Sequence, residues 1–313
     1  MKVFYLIIIA FSLQAQTTIY GLEFDTTGQD PSSAFQAIQF ANPDDNGLPI
    51  WGPNDAGVTY IWELYNLKQQ DGYYTTFFWA DENFLWDGGG SNTYYGFHPY
   101  PWPSPGVNTS THDWEISGTD GGADFRLTRS GSALTVVKNT SYIQAAVVTV
   151  WGDGSKRVVF YIDLPDTTDG NVIENTALAS WGETDPPNPF ITFGDAPWFA
   201  AFQHERMAAT LGRVKIITGA LTGADLLAEA ADMTQLVTQA AIDSIWWGIT
   251  NFETVDDLTC DYGTARSFVW ANGAQKADLV PVDTIAIIPI STKMTGGGNA
   301  QMPGGGSGSI KPK

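Results

Sequence analysis

The stretch Tyr142 to Leu164, YIQAAVVTVWGDGSKRVVFYIDL, leaves this chain the fewest choices. Two apolar runs flank Gly152-Asp153-Gly154-Ser155. An Asp-Gly pair between such runs is a hairpin signal, because its residues tolerate positive φ. The second run alternates, with Val158, Phe160, Ile162 and Leu164 on one face and Arg157, Val159, Tyr161 and Asp163 on the other. A strand that is apolar on one side needs a second layer over that side. The pattern therefore predicts a two-sheet sandwich with this hairpin at its centre.

Further strand signals lie on both sides of the hairpin. Thr17 to Phe24 reads as a strand, and Val58 to Leu67 alternates, with Tyr60, Trp62 and Leu64 opposite Ile61, Glu63 and Tyr65. Tyr73 to Trp79 is β by composition. Thr111 to Ser117 reads as a strand with Trp114 and Ile116 on one face and Asp113 and Glu115 on the other. Phe125 to Arg129 and Leu134 to Lys138 read as a hairpin over Gly131, and Phe190 to Gly194 as a short strand. Ala208 to Gly212 leads into the strand Arg213 to Thr218. Pro31 to Phe40 reads as a short helix, and Asp166 to Pro189 as a long polar loop.

Thr222 with Asp225 three residues on reads as a capping box, followed by an apolar stripe of Leu226, Leu227, Ala230 and Met233. Many short strands with one late helix predict an all-β sandwich or jelly roll. The expected organisation is a signal peptide over 1–16, a sandwich over 17–235, a small C-terminal unit over 236–290 and a flexible Gly-rich tail over 291–313. The signal rests on Lys2 before the nine apolar residues Val3 to Phe11, a run too short to span a bilayer. The competing reading of that run is a retained first strand.

Charge narrows the function. A net charge of −19 argues against binding a phosphate backbone, which is held by released counterions and basic side chains, and anionic membranes would repel the chain. Cys260 is the single cysteine, so neither an intrachain disulfide nor a paired-cysteine metal knuckle is available. His204 with Glu205 reads as packing or solvent contact rather than as a metal site.

The stretch Tyr142 to Met233 resembles the LamG or concanavalin A-like lectin and glucanase superfamily. Tyr142 stands at the family's aromatic, Asp153-Gly154 at its turn and Tyr161-Ile162-Asp163 at its Y-V-D element, while Leu164 replaces the usual glycine. Phe190 to Gly194 is similar to the family's L-x-I-G strand. Leu211 to Ile216, followed by Gly219 to Thr222 and the helix, resembles its G-x-I-x-x-V-R-I-Y-x-x-A-L-S element. The resemblance implies a concanavalin A-like (LamG-type) jelly-roll β-sandwich, and that fold hosts many functions.

The residues bear on four chemistries. Proline alternates with His98, Tyr100, Trp102 and Ser104 in Tyr94 to Gly106, which reads as an extended surface loop because a central strand needs its N–H donors. Tyr100 and Trp102, stiffened by prolines, with His98, Trp86 and Tyr95 nearby, suit a platform on which pyranose faces stack. Asp113 and Glu115 align with the last two carboxylates of the laminarinase E-x-D-x-E pattern, but Thr111 stands where the nucleophile belongs. The alginate-lyase relatives use Gln, His, Tyr and Arg, and His98, Tyr100, His112, Arg126 and Arg129 show no defensible spacing for that role. Ca²⁺ at the rim would draw on Asp120, Asp124, Asp166 and Asp169, for which ordinary turn chemistry is the simpler reading.

The sequence thus predicts an exported, non-catalytic carbohydrate-recognition or adhesion module with a glycan or cell-surface polysaccharide as partner and no required cofactor. The alternatives are a phage virion component, tail-associated or decorating, and a divergent glycanase.

Overall fold

A computed structural model describes residues 16–24, 36–41, 57–66, 78–81, 94–100, 113–120, 123–129, 140–150, 156–168, 171–175, 190–194, 209–244, 247–258, 262–263, 268–270 and 276–286. In chain order the strands are β1 (Gln16–Phe24), β2 (Ala37–Ala41), β3 (Val58–Tyr65), β4 (Phe78–Asp81), β5 (Tyr94–Tyr100), β6 (Asp113–Asp120), β7 (Ala123–Arg129), β8 (Tyr142–Val150), β9 (Lys156–Tyr161), β10 (Val172–Asn175), β11 (Phe190–Gly194) and β12 (Ala209–Thr218). Helices α1 (Gly223–Ala231) and α2 (Gln239–Ile242) follow, then β13 (Trp247–Thr250), β14 (Tyr262–Gly263), β15 (Val269–Trp270) and β16 (Asp278–Ala286). Residues 18–284 form one compact unit.

The strands build two sheets. A nine-stranded sheet runs β10-β9-β8-β3-β12-β1-β16, with β13 also on β12 and β14 on β13. A seven-stranded sheet runs β15-β2-β11-β4-β5-β6-β7. Their facing sides share one core. Trp62 of β3 stacks on Phe160 of β9 at 6.1 Å and meets Phe193 of β11 edge-on at 5.6 Å. Phe193 in turn meets Phe268 at 5.9 Å. The core also carries one polar clasp: Trp62 Nε1 donates to Gln144 Oε1 (3.1 Å), and Gln144 Nε2 donates to the Ile162 carbonyl (3.2 Å). A buried indole N–H left without that partner would be costly, which is why an amide sits among apolar neighbours.

The far side of the nine-stranded sheet is covered as well. Ile61, Ala145, Val147 and Ile217 pack with Leu226, Ala230 and Met233, so α1 lies on that side. This explains why all ten residues of β12 are buried: both of its faces are covered.

Several elements follow the sequence reading. β3 places Tyr60, Trp62 and Leu64 in the shared core and Ile61 on the α1 side. β8 and β9 form the anticipated hairpin, from Val150↔Lys156 to Ala145↔Tyr161, and the apolar stripe of α1 faces the sheet.

Other elements correct it. The hairpin is not the centre: β3 is the middle strand of the order β10-β9-β8-β3-β12-β1-β16, and β3 and β12 are buried on both sides. Residues 37–41 are strand, not helix, since β2 is held between β11 and β15. Residues 172–175 inside the anticipated loop form β10, whose Ile173 is buried in the core. β7 pairs with β6, Asp120 opposite Ala123, and the anticipated partner segment 134–138 lies outside the described residues. Thr222 is the N-cap of α1, but its side chain makes no capping hydrogen bond, so the capping box is not formed. Apart from these corrections, residues 236–290 supply β13, β14, β15 and β16 to the two sheets, and Phe252, Leu258, Phe268 and Ala277 enter the shared core. Of the expected signal segment 1–16 all but Gln16, the first residue of β1, lies outside the described residues, as does the Gly-rich tail 291–313.

Candidate binding face

The prolines of Tyr94 to Gly106 pointed to a loop. Instead residues 94–100 are β5, paired with β4 on one side and β6 on the other. Pro99 is the penultimate residue of the strand, beyond the last residue paired with β4. A missing N–H is tolerated at such an end. Pro101, Trp102 and Pro103 lie outside the described residues, as do Trp86 and Asp169.

The registers of this sheet join into continuous rows. One row runs Trp270, Ile38, Phe193, Phe78, Phe97, Ile116 and Leu127 across all seven strands. It is apolar throughout, and its Ile38 and Phe193 are fully buried in the shared core. The next row runs Val269, Gln39, Thr192, Trp79, Gly96, Ser117 and Arg126. Side chains alternate between faces with period two, so this second row belongs to the face turned away from the core. Two residues along each strand, the same outer face carries His98 opposite Glu115 and Thr128, and then Tyr100 opposite Asp113. In the other direction it carries Asp81, Tyr94, Thr119 and Asp124.

The register thus brings His98, Tyr100, Asp113 and Glu115 onto one face of adjacent strands. It sets Tyr95 on the core-side face, in the row of Ala80 and Gly118. Reasoning from sequence missed Gln39, Thr192, Trp79 and Arg126 as members of the same face. Alternation within each strand was a usable signal, but the order of strands was not readable, so the rows could not be assembled.

Within this face the described side chains are unusual. Gln39 is 4% exposed and Thr192 1%, although both stand on the side away from the shared core. The Thr192 hydroxyl has no hydrogen-bond partner and is the single such buried side-chain atom among the described residues. At the edge of the sheet Val269 is exposed.

Of the candidate calcium ligands, Asp120, Asp124 and Asp166 lie within the described residues and Asp169 does not. Asp120 and Asp124 fall on opposite faces of the β6–β7 pair. Asp166 accepts from the Thr168 backbone N–H (2.9 Å) and from the Asn171 side chain, an Asx-type turn. Those hydrogen bonds hold the Asp166 carboxyl below its ordinary range. No cluster of metal-ligating side chains occurs among the described residues.

Buried charge lies instead on the α1 side of the nine-stranded sheet, where it is structural. Lys215 Nζ, wholly buried, donates to Glu229 Oε2 (2.8 Å) and to the carbonyls of Glu229, Asp232 and Gln235 (2.7–2.8 Å). Glu229 Oε1 accepts from the backbone N–H groups of Val237 and Thr238. One ion pair therefore satisfies the C-terminal end of α1 and the chain after it. Burial pushes the Lys215 ammonium below its ordinary pKa, against the pull of Glu229. Nearby, the Arg213 guanidinium holds Glu63 with both arms (2.5 and 2.7 Å), and the Arg213 backbone N–H joins them. A bulge between Leu211 and Val214 allows this, and Gly212 permits it: a Cβ there would stand 2.5 Å from the Tyr65 ring and 2.9 Å from Glu63 Cβ. Burial, then the Glu63 charge, raises the Tyr65 hydroxyl above its usual pKa.

No family model and no curated protein matches the sequence. Among solved structures the chain is similar to the full-length tailspike protein TSP2 of an Escherichia coli O157:H7 bacteriophage, with a TM-score of 0.42, 11% identity and 74% of this chain against 28% of that one. It is also similar to the CBM40 of the Ruminococcus gnavus IT-sialidase, with a TM-score of 0.37, 11% identity and 69% of this chain against 98% of that one. A third likeness is to scytalido-glutamic peptidase, with a TM-score of 0.35, 13% identity and 76% of this chain against 98% of that one. The chain spans less than a third of the length of the tailspike.

Proposed function

We propose that the chain is a non-catalytic carbohydrate-recognition module of LamG type, acting outside the cell, and that its ligand surface is the outer face of the seven-stranded sheet. The observation that carries this reading is the register that lines up Tyr94, His98, Tyr100, Asp113 and Glu115 with Trp79 and Gln39 on that face. Rings offer stacking surface to the C–H side of a pyranose, and carboxylates and amides fix its hydroxyls. Strands hold such groups at fixed spacings, so little order has to be created on binding. No helix among the described residues is long and apolar enough to cross a membrane.

The test is a glycan array followed by titration of the ligand it identifies, read by tryptophan fluorescence. Replacing Tyr100 or Trp79 with Ala should weaken binding about tenfold or more, with unfolding temperatures kept near that of the parent chain. The enzyme reading is favoured by one fact: Asp113 and Glu115 share this face with His98. It requires the chain to release new reducing ends from a polysaccharide, and Glu115→Gln to abolish that release. The binding reading requires that no such release occurs.

A further inference from the structure

We infer that residues 229–238 fold around a monovalent-cation site, and that the Lys215 ammonium is the ion that fills it from within the chain. Lys215 Nζ has four oxygens at 2.7–2.8 Å: Glu229 Oε2 and the carbonyls of Glu229, Asp232 and Gln235. An ammonium carries three N–H donors. One-to-one hydrogen bonds therefore cannot account for all four oxygens, and the surplus one is held by the charge. A set of oxygens gathered by charge rather than by N–H direction is the coordination shell of an ion.

The fold holds each oxygen in place. Glu229 lies in the last turn of α1 and Asp232 is its C-cap, where carbonyls lack helical N–H partners and the aligned peptides favour a cation. Gln235 joins them because the Asp232 carboxyl accepts from the Thr234 backbone N–H (2.9 Å) and from Gln235 Nε2 (2.7 Å), which turns the chain back. Glu229 Oε1 accepts from the backbone N–H groups of Val237 (2.8 Å) and Thr238 (2.5 Å), so its other oxygen faces Lys215. The Lys215 and Glu229 side chains are wholly buried, on the side of the sheet where Ile61, Ile217 and Leu226 pack. Size and charge select the ion. Mg²⁺ takes oxygens at about 2.0–2.1 Å and Ca²⁺ at about 2.3–2.6 Å, closer than these stand. One carboxylate balances one positive charge, and a divalent ion would leave charge uncompensated among apolar side chains. The neighbouring Arg213 is already balanced by Glu63. Ammonium, or an alkali cation of potassium size, meets both conditions.

Lys215→Ala removes the tethered ion and leaves the oxygens. The experiment is thermal unfolding of the full chain carrying that change, in ammonium, potassium and tetramethylammonium chloride at matched concentrations, with the parent chain's response to each salt subtracted. Ammonium or potassium should raise the unfolding temperature above that in tetramethylammonium, by about 3 °C when the ion is present at roughly ten times its dissociation constant. Amide hydrogen exchange across 229–238 should slow in the same salts. Adding Glu229→Gln should abolish the response, because the balancing charge is gone. Where Lys215→Ala stays unfolded in tetramethylammonium chloride, the measurement becomes recovery of native near-UV dichroism on transfer to ammonium chloride. An equal response to all three cations, a response that survives Glu229→Gln, or neither response nor recovery in any salt overturns the inference.

Discussion

Thr192 and Lys215 are buried polar residues of opposite kinds. Lys215 has every donor used, by Glu229 and by three carbonyls at the end of α1. Removing one partner would leave a buried charge uncompensated, so Lys215→Met should cost about 3–5 kcal/mol in denaturant unfolding. Adding Glu229→Leu should recover part of that loss, because the stranded carboxylate goes too. Thr192 has an unused hydroxyl, so Thr192→Val should leave stability unchanged or raise it by about 1 kcal/mol. At neither residue did the sequence carry the signal: Lys215 reads as one more strand residue, and Thr192 as the middle of FITFG.

Among the elements, alternation was legible wherever one face of a strand was apolar and the other was not. β3, β6 and β9 show this, and so does the stripe of α1. It failed where a strand is short, or where its hydrogen-bond partners are distant in sequence. Residues 37–41 and 172–175 are strands because β11 and β9 pair with them, and nothing local records that. β5 was hidden by Pro99, whose cost falls at the strand end. The candidate site suffered more than the fold. Asp113 and Glu115 could be placed on one face of β6 from spacing alone, but their rows through β5, β4, β11 and β2 exist only in the register.

The end of α1 also makes a prediction about pH. Desolvation raises the Asp232 carboxyl, but hydrogen bonds from Thr234 and Gln235 and the charge of Lys215 outweigh it and hold the pKa below its ordinary 3.8. A depressed carboxylate stabilises the fold above its unfolded pKa, and that stability is lost as pH falls through the lower, folded value. In acid titrations of unfolding temperature, Asp232→Asn should therefore lie below the parent chain at neutral pH and converge with it under pH 4.

For the whole molecule, the layering sets which surfaces compete for function. The nine-stranded sheet is covered on one side by the seven-stranded sheet and on the other by α1. The seven-stranded sheet shares its inner side with the core, and its outer side carries the polar rows. Exposed apolar side chains near the helices, Val237 and Ile242, offer the competing surface. Chemical-shift mapping of the labelled chain with a bound oligosaccharide tests the choice most directly. The account predicts that the amides of 79–81, 94–100 and 113–119 shift together while those of 226–242 stay in place. Shifts concentrated around Val237 and Ile242, with β4, β5 and β6 unmoved, would contradict it.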